Sequence, residues 1–577
     1  MFNFPKSGAI NRTLLVALST TAAFLSHTAL AQEVPGSADA GQVERNLRQR
    51  ITVPNVAPDI QVKDMTTGRA PAGAESVRFT LNDLKLEGVT AYNDAELKTV
   101  YGGVLGQTIS LADLYKIAAD LTAKYRNDGY ILTQIIVPPQ TIESGTARLQ
   151  VIEGAIDRVI VQGDEAKEAK ALGLMRQYAG RLTNQNGPLN AKDLERTLLL
   201  INDLPGVSAR SVIAPSATKP GTADLTILIE RDPFDAFVGL DNYGSRYLGR
   251  WEASAGGSIN SGVFNNNEKI SGQVVYAPHG GLLDHELGYI SGSYWTPLGS
   301  YGTNLELTYS YTDTEPGLEL RDFDVQGRSH YASVVVKHPF IRSRDLNLTG
   351  RVLIDGRNVK SENNIPDDRE DNIRALRAGG RLEFADGMFS GGVNTIDIEF
   401  AKGLNILGAS NSGDAELTRP DGDPQFFKVE AEVQRLQRLT QQFNILLGVK
   451  GQMSNAALLA SEEFGVGGSG YGRGFDPSEI TGEDGIAGKV ELQWNPNWNT
   501  PWMSGSQVFG FWDAGKVWND DVIPDDVQTL ASSGVGFRAD FLYDVQTEFY
   551  VAVPLTRDVQ AEHDDDARLF LSVTKRF

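Results

Sequence analysis

From Pro233 onward the chain repeats one pattern: segments of about ten residues in which apolar side chains alternate with polar or small ones, parted by Gly, Asn, Asp and Pro. A period of two puts successive side chains on opposite faces of a strand, so each segment is half apolar and half polar by face. The alternation predicts strands near 234–244, 247–260, 266–277, 285–297, 300–314, 325–337, 344–361 and 369–386. It continues through 390–402, 424–438, 441–454, 485–497, 507–518, 531–541, 545–555 and 567–577. That is about sixteen strands, an even number, as a bacterial outer-membrane barrel requires. The fold class this predicts is a transmembrane β-barrel of antiparallel strands over 233–577.

The connections support a barrel over a soluble sandwich or propeller. If the first strand starts in the periplasm, connections after odd strands face outward. The long acidic stretches Glu362 to Asp368, Asp414 to Asp423, Asp520 to Asp526 and Glu562 to Asp566 all follow odd strands, and the short turns 261–265, 298–299 and 387–389 follow even ones. Long loops on one side and short turns on the other is the asymmetry of outer-membrane barrels. The last strand sets Leu569, Leu571, Val573 and Phe577 on one face, and Phe577 is a terminal aromatic of the kind barrel-assembly machinery reads.

Lys6 and Arg12 precede an apolar run from Leu14 to Leu30, and Ala29, Leu30, Ala31 forms an A-x-A site, so 1–31 is expected to be a signal peptide. No later run approaches the ~20 apolar residues of a spanning helix. Cysteine is absent, which is compatible with export. A net charge of -21 excludes a nucleic-acid binder, whose affinity comes from Lys and Arg on phosphates.

Residues 32–75 are polar and proline-punctuated by Pro54, Pro58 and Pro71. Gln42 to Arg50 has good helix formers, but with only Val43 and Leu47 at i, i+4 it cannot bury an apolar stripe; it is expected to be either a disordered tail or a polar helix in a solvated pore. Two segments then share the order β-α-α-β-β, 76–154 and 155–232, the first with a strand expected over 130–137, and are read as a repeat of small α+β units.

Catalysis has no visible home. Gly465, Gly467 and Gly470 spell G-x-G-x-x-G, yet Arg473, Gly474 and Pro477 follow where a helix would be needed to hold a pyrophosphate. The six histidines lack ligand spacing, and no G-x-S-x-G elbow is present, so no enzyme, cofactor or metal is expected. The glycine-rich loop, 455–484, is too long for a turn. Its glycines, with Tyr471 and Phe475, suit close packing against a wall. On the strand 507–518, period two puts Phe509, Phe511, Asp513 and Gly515 on one face and Val508, Trp512 and Trp518 on the other. A carboxylate belongs in the lumen. Arg473 on an infolded loop and Asp513 on the wall are natural partners, with a solvated loop arginine as the alternative.

These residues resemble the outer-membrane transporters of two-partner secretion, of the haemolysin-activator or filamentous-haemagglutinin transporter type, within the superfamily that includes the barrel-assembly insertases. The motifs are Gly470, Tyr471, Gly472, Arg473, Gly474, Phe475; Phe511, Trp512, Asp513, Ala514, Gly515; and Ser533, Gly534, Val535, Gly536, Phe537, Arg538. The resemblance implies two polypeptide-transport-associated (POTRA) domains at 76–154 and 155–232, a latch between Arg473 and Asp513, a plug helix around Gln42 to Arg50, and a secreted exoprotein (haemolysin, adhesin or toxin) as partner. It also implies a monomer assembled into the lipid bilayer by the barrel-assembly machinery. Other members often carry Tyr where this chain has Phe475, so the hydroxyl is lost there. The alternatives are an insertase of other barrels and a passive porin.

Overall fold

The computed structural model describes residues 34–49, 60–62, 70–163, 165–183, 187–280, 284–364, 368–496, 498, 500–519 and 527–577. The expected signal peptide and its cleavage site, Pro54, Pro58 and the acidic stretch 520–526 lie outside the described residues.

Each alternating segment forms a strand, and sixteen of them close into one antiparallel barrel. They are β1 (Phe234–Asp241), β2 (Glu252–Asn260), β3 (Lys269–Pro278), β4 (His285–Pro297), β5 (Asn304–Thr314), β6 (Gln326–Arg342), β7 (Leu346–Glu362) and β8 (Arg369–Asp386). The second half comprises β9 (Gly392–Gly403), β10 (Phe427–Arg438), β11 (Phe443–Ser454), β12 (Asp484–Trp494), β13 (Met503–Trp518), β14 (Val527–Phe541), β15 (Val545–Pro554) and β16 (Arg568–Arg576). Alternation decides the faces: Val238, Val274, Ile290, Val334, Val352 and Trp512 all point outward and stay exposed, as a lipid-facing band must. Among the described residues no helix is long and apolar enough to cross a membrane.

Several strand limits differ from the sequence pattern by four or five residues, among them the starts of β5 at Asn304 and β14 at Val527. The second strand begins at Glu252 rather than 247, because Arg246–Leu248 forms a 3-10 turn whose Tyr247 N–H is capped by the Ser245 hydroxyl. The sixth runs on to Arg342, and the thirteenth starts at Met503. Connections 404–426, 455–483 and 555–567 follow odd strands, whereas 343–345, 387–391 and 542–544 follow even ones. Closure is uneven. The strands β1 and β16 pair only over Phe237–Asp241 against Ser572–Arg576, while β6 and β7 pair along nearly their whole length.

Two α+β units precede the barrel. In the first, helices Asp94–Tyr101 and Leu111–Asn127 pack on a three-stranded sheet of Asp83–Glu87, Thr146–Ile152 and Gln134–Ile136. The side chains of Asn93 and Ser110 cap these helices with reciprocal bonds from Glu96 and Asp113. Apolar residues at helical spacing, Leu114, Ile117, Leu121 and Tyr125, fill its core. The strand expected over 130–137 shortens to Gln134–Ile136, since Ile131 and Leu132 turn away into the core of the second unit. That unit packs helices Glu165–Gly180 and Ala191–Asn202 on a sheet ordered Ile60–Val62, Val207–Pro215, Thr222–Arg231, Ala155–Gln162. Its outermost strand, Ile60–Val62, comes from the N-terminal linker and pairs in parallel with Ser211 to Ile213.

The second unit is fixed to the barrel's short-turn end. Arg342 donates from Nε and Nη2 to the two carboxylate oxygens of Asp203 at 2.8 and 2.7 Å. Arg196 donates to the Pro339 carbonyl at 2.9 Å, and the Arg344 N–H donates to Glu195 at 2.6 Å.

Candidate functional site

The lumen holds two occupants. One is the loop 455–483, which folds back inside as a small hairpin of Phe464–Val466 with Ile480–Gly482. At its tip Arg473, 5% exposed, meets Asp513, which is wholly buried on the inner face of β13. Arg473 donates from Nε and Nη2 to the two oxygens of Asp513, both at 2.8 Å, and its own backbone N–H adds a third bond at 3.1 Å. Its Nη1 donates to Glu491 on β12, and the guanidinium lies 3.6 Å from the Phe511 ring centre. Fork-shaped, bidentate pairing on an aromatic face is what arginine supplies and lysine does not.

The glycines make this approach possible. Gly472 has φ +102, and a Cβ there would sit 2.9 Å from Leu530 Cδ1. Gly534 and Gly536 leave room on the wall: a Cβ would meet the Phe511 ring at 2.5 Å and the Phe509 ring at 2.4 Å respectively. The Gly474 N–H donates to the Ser532 hydroxyl at 3.1 Å, and Gly515 faces Val466. Gly470 is open to space. Tyr471 donates to Glu432 at 2.9 Å, and Phe475 is buried with Phe464, Val466, Ile480 and Leu530. Phe577 is exposed and joined to β1 through its N–H, which donates to the Ala236 carbonyl at 2.9 Å.

Sequence reasoning gave Glu491 no role. It sits between Arg473 and Arg538, which donates to it at 2.7 Å and packs 3.8 Å from the Phe509 ring centre. Arg538 also pairs with Glu548, which accepts from Tyr243 at 2.8 Å beyond the end of β1. A chain of paired groups therefore runs from Asp513 to the seam. The alternation of Lys489, Glu491 and Gln493 on one face of β12 was the available signal.

The second occupant is helix α1 (Ala40–Gln49), the polar helix of the two alternatives, but it is buried where the sequence suggested a solvated pore. The segment lacks an apolar stripe, yet Gln42, Glu44 and Arg45 are buried alongside Val43 and Leu47. Burial is achieved by pairing rather than by apolarity. Glu44 accepts from Arg357 on β7 at 3.1 Å and from Ser310 on β5 at 3.0 Å. Arg45 pairs with Glu430 on β10 at 2.6 Å, and Arg48 lies 4.2 Å from the Tyr331 ring centre. Gln42 donates to the carbonyls of Ala460 and Glu463 at 2.7 and 3.2 Å, and Asn46 to Ser478 at 3.0 Å, so the helix also touches the loop. Below the helix a cavity of about 2200 Å³ opens toward the second α+β unit.

The chain is similar to known proteins in sequence and in fold. Residues 224–539 match the family model described as haemolysin secretion/activation protein ShlB/FhaC/HecB, and 79–154 match the POTRA domain of ShlB type. The chain is 24% identical over 572 residues to the heme/hemopexin transporter protein HuxB of Haemophilus influenzae, covering 96% of this chain and 97% of that one. The solved structure of CdiB from Escherichia coli superposes with a TM-score of 0.73 at 20% identity, covering 95% of this chain and 100% of that one. BamA from Haemophilus ducreyi, lacking POTRA domains 1–3, is a more distant likeness in fold, with a TM-score of 0.51 at 14% identity over 86% of this chain and 100% of that one. With the family model spanning more than half of its length, the chain belongs to the haemolysin secretion/activation family ShlB/FhaC/HecB.

Proposed function

We infer that the chain is an outer-membrane channel that takes a partner exoprotein from the periplasm to the cell surface, the transport step of two-partner secretion. The observation that carries this is a lumen wide enough for both a ten-residue helix and a folded loop, opening below onto the second of two consecutive α+β units. A passive porin has no use for those units. We take 76–154 and 155–232 as the two POTRA domains that receive the partner, α1 as the resting plug, and the Arg473–Asp513 contact as the latch of the loop.

The partner docks as an extended segment. In the first unit Gln134–Ile136 is an edge strand, which can add a strand through backbone hydrogen bonds with little demand on side-chain identity. Folding of the partner outside supplies the direction of movement, since the periplasm holds no ATP.

The test is to compare secreted proteins with and without the gene, then to restore the chain lacking 76–232. The expected result is one large secreted protein lost from the medium, not restored by the truncated chain, while the barrel still reaches the membrane and shifts on heating in gels. Secretion restored by the truncated chain would sink the docking role. Broad depletion of outer-membrane proteins in place of one lost exoprotein would favour an insertase.

A further inference from the structure

The inner wall has two halves of different chemistry. Strand register lines up Ser258, Ser271, Ser293, Thr308 and Ser333 as successive neighbours across β2 to β6. All five line the 2200 Å³ cavity, and Ser271 and Ser293 are in hydrogen-bond contact at 2.6 Å. On the adjoining stretch of wall, β7 to β9, Arg351 is engaged by Asp397 at 2.6 Å and Glu399 at 3.0 Å, so its charges already satisfy one another.

Farther up the hydroxyl wall lies an independent sign of a missing partner. Thr312 and Ser329 face each other across β5 and β6; both are wholly buried, and neither hydroxyl has a hydrogen-bond partner among the described residues. They sit between the two rungs that touch α1. On one side Ser310 bonds Glu44, and on the other a Cβ on Gly327 would lie 3.1 Å from the Ala40 side chain. The helix covers these two hydroxyls without bonding them.

We propose that the hydroxyl face of β2 to β6 is the lane along which the unfolded partner moves, taken up by the partner where α1 now lies. The proposal rests on the transporter reading above. A hydroxyl both donates and accepts, so it can bond the N–H or the C=O of any extended backbone whatever its side chains. Many weak, uncharged contacts let a chain enter and leave, which a wall of strong charge traps would hinder.

The native chain has no cysteine, so single-cysteine variants of the full-length protein report cleanly. S291C and S293C on the lane are compared in proteoliposomes with Arg381→Cys and Glu399→Cys on the adjoining charged stretch, β8 and β9. The probe is a short unfolded Gly-, Asn- and Ser-rich peptide bearing one cysteine, and disulfide capture is read on non-reducing gels. Capture on the lane should exceed that on the charged stretch by about fivefold or more, a preference of about 1 kcal/mol. Equal capture on both stretches, or none on the lane, overturns the proposal. In cells, T312V combined with S329A should slow export of the secreted protein by about threefold with barrel level and heat-shift unchanged. Unchanged export also overturns the lane, and in each of these cases export by the native chain keeps the transporter reading. If removing the gene costs the medium no protein, the transporter reading itself fails.

Discussion

The two occupants of the lumen are both held by buried charges, yet removing them would leave opposite situations behind. If α1 withdraws, Arg357 keeps Glu462 at 3.1 Å, and Glu430 keeps Lys428 at 3.1 Å. Glu462 itself retains Arg377 and Lys428 at 2.8 and 2.7 Å. No wall charge is stranded, and Glu44 and Arg45 regain water. If the loop tip withdraws, Asp513 loses its bidentate arginine and the backbone donors of Gly472 and Arg473 together. Asp513, buried only in the docked state, then keeps Lys489 across the strands as its neighbouring cation but has lost every one of those donors, which is costly. On the plug and latch reading proposed above, this contrast fits a helix that leaves and a loop that stays.

The strongest way to break this contrast is at the loop. Arg473→Glu sets a third carboxylate beside Asp513 and Glu491, and Asp513→Arg is the converse. Each should cost about 3–5 kcal/mol in the loop's docked state and reduce secretion more than tenfold. The double swap should recover part of it, measured as exported protein per barrel in the membrane. A double variant no better than either single one would leave the latch unsupported.

The complementary experiment loosens the helix. Glu44→Ala with Arg45→Ala should raise conductance in planar bilayers several-fold while secretion persists. Conductance equal to that of the native chain would show that α1 does not close the pore.

A smaller effect is expected at the joint below. Arg342→Ala removes the bidentate bond to Asp203 but leaves the Arg196 and Arg344 contacts, so a loss of about 1 kcal/mol and a two- to threefold drop in secretion are expected. A drop as large as that of Arg473→Glu would place the essential contact outside the lumen.

The smallest effect serves as a control in the first α+β unit. Burial opposes ionisation of Glu153, but hydrogen bonds from the Thr90 hydroxyl and N–H, the Ala91 N–H and the Tyr125 hydroxyl outweigh it and hold the carboxyl below its ordinary value. A carboxyl depressed on folding stabilises above its unfolded pKa, and that contribution is lost as pH falls through the folded one. Glu153→Gln should therefore flatten the acid limb of thermal unfolding below about pH 4.5 while leaving secretion near native. An unchanged acid limb would assign the acid sensitivity to other carboxylates.

Much of the barrel was legible because period-two alternation is local and each strand carries it independently. The inward face of Asp513 followed from the same rule. Glu491 needed the register of β12 against β13 and the place of a loop tip, neither of which is local. The burial of α1 was misread for a related reason: its polar residues are matched by Arg357, Glu430, Ser310 and the carbonyls of 460 and 463, far along the chain. The 130–137 strand came out too long because alternation does not tell which core an apolar residue joins; Ile131 and Leu132 join that of the second unit.

The strand Ile60–Val62 gives the helix a leash. Ten residues separate it from Gln49, so with that strand paired to Ser211–Ile213 the end of α1 can travel no farther than about 40 Å from the edge of the second unit. If α1 is the plug proposed above, a stopper tied at that length stays within reach of the mouth it leaves. Reclosing is then an intramolecular event, set by tether length rather than by the concentration of any other molecule, and each passage can end with the same helix returning to the same charges.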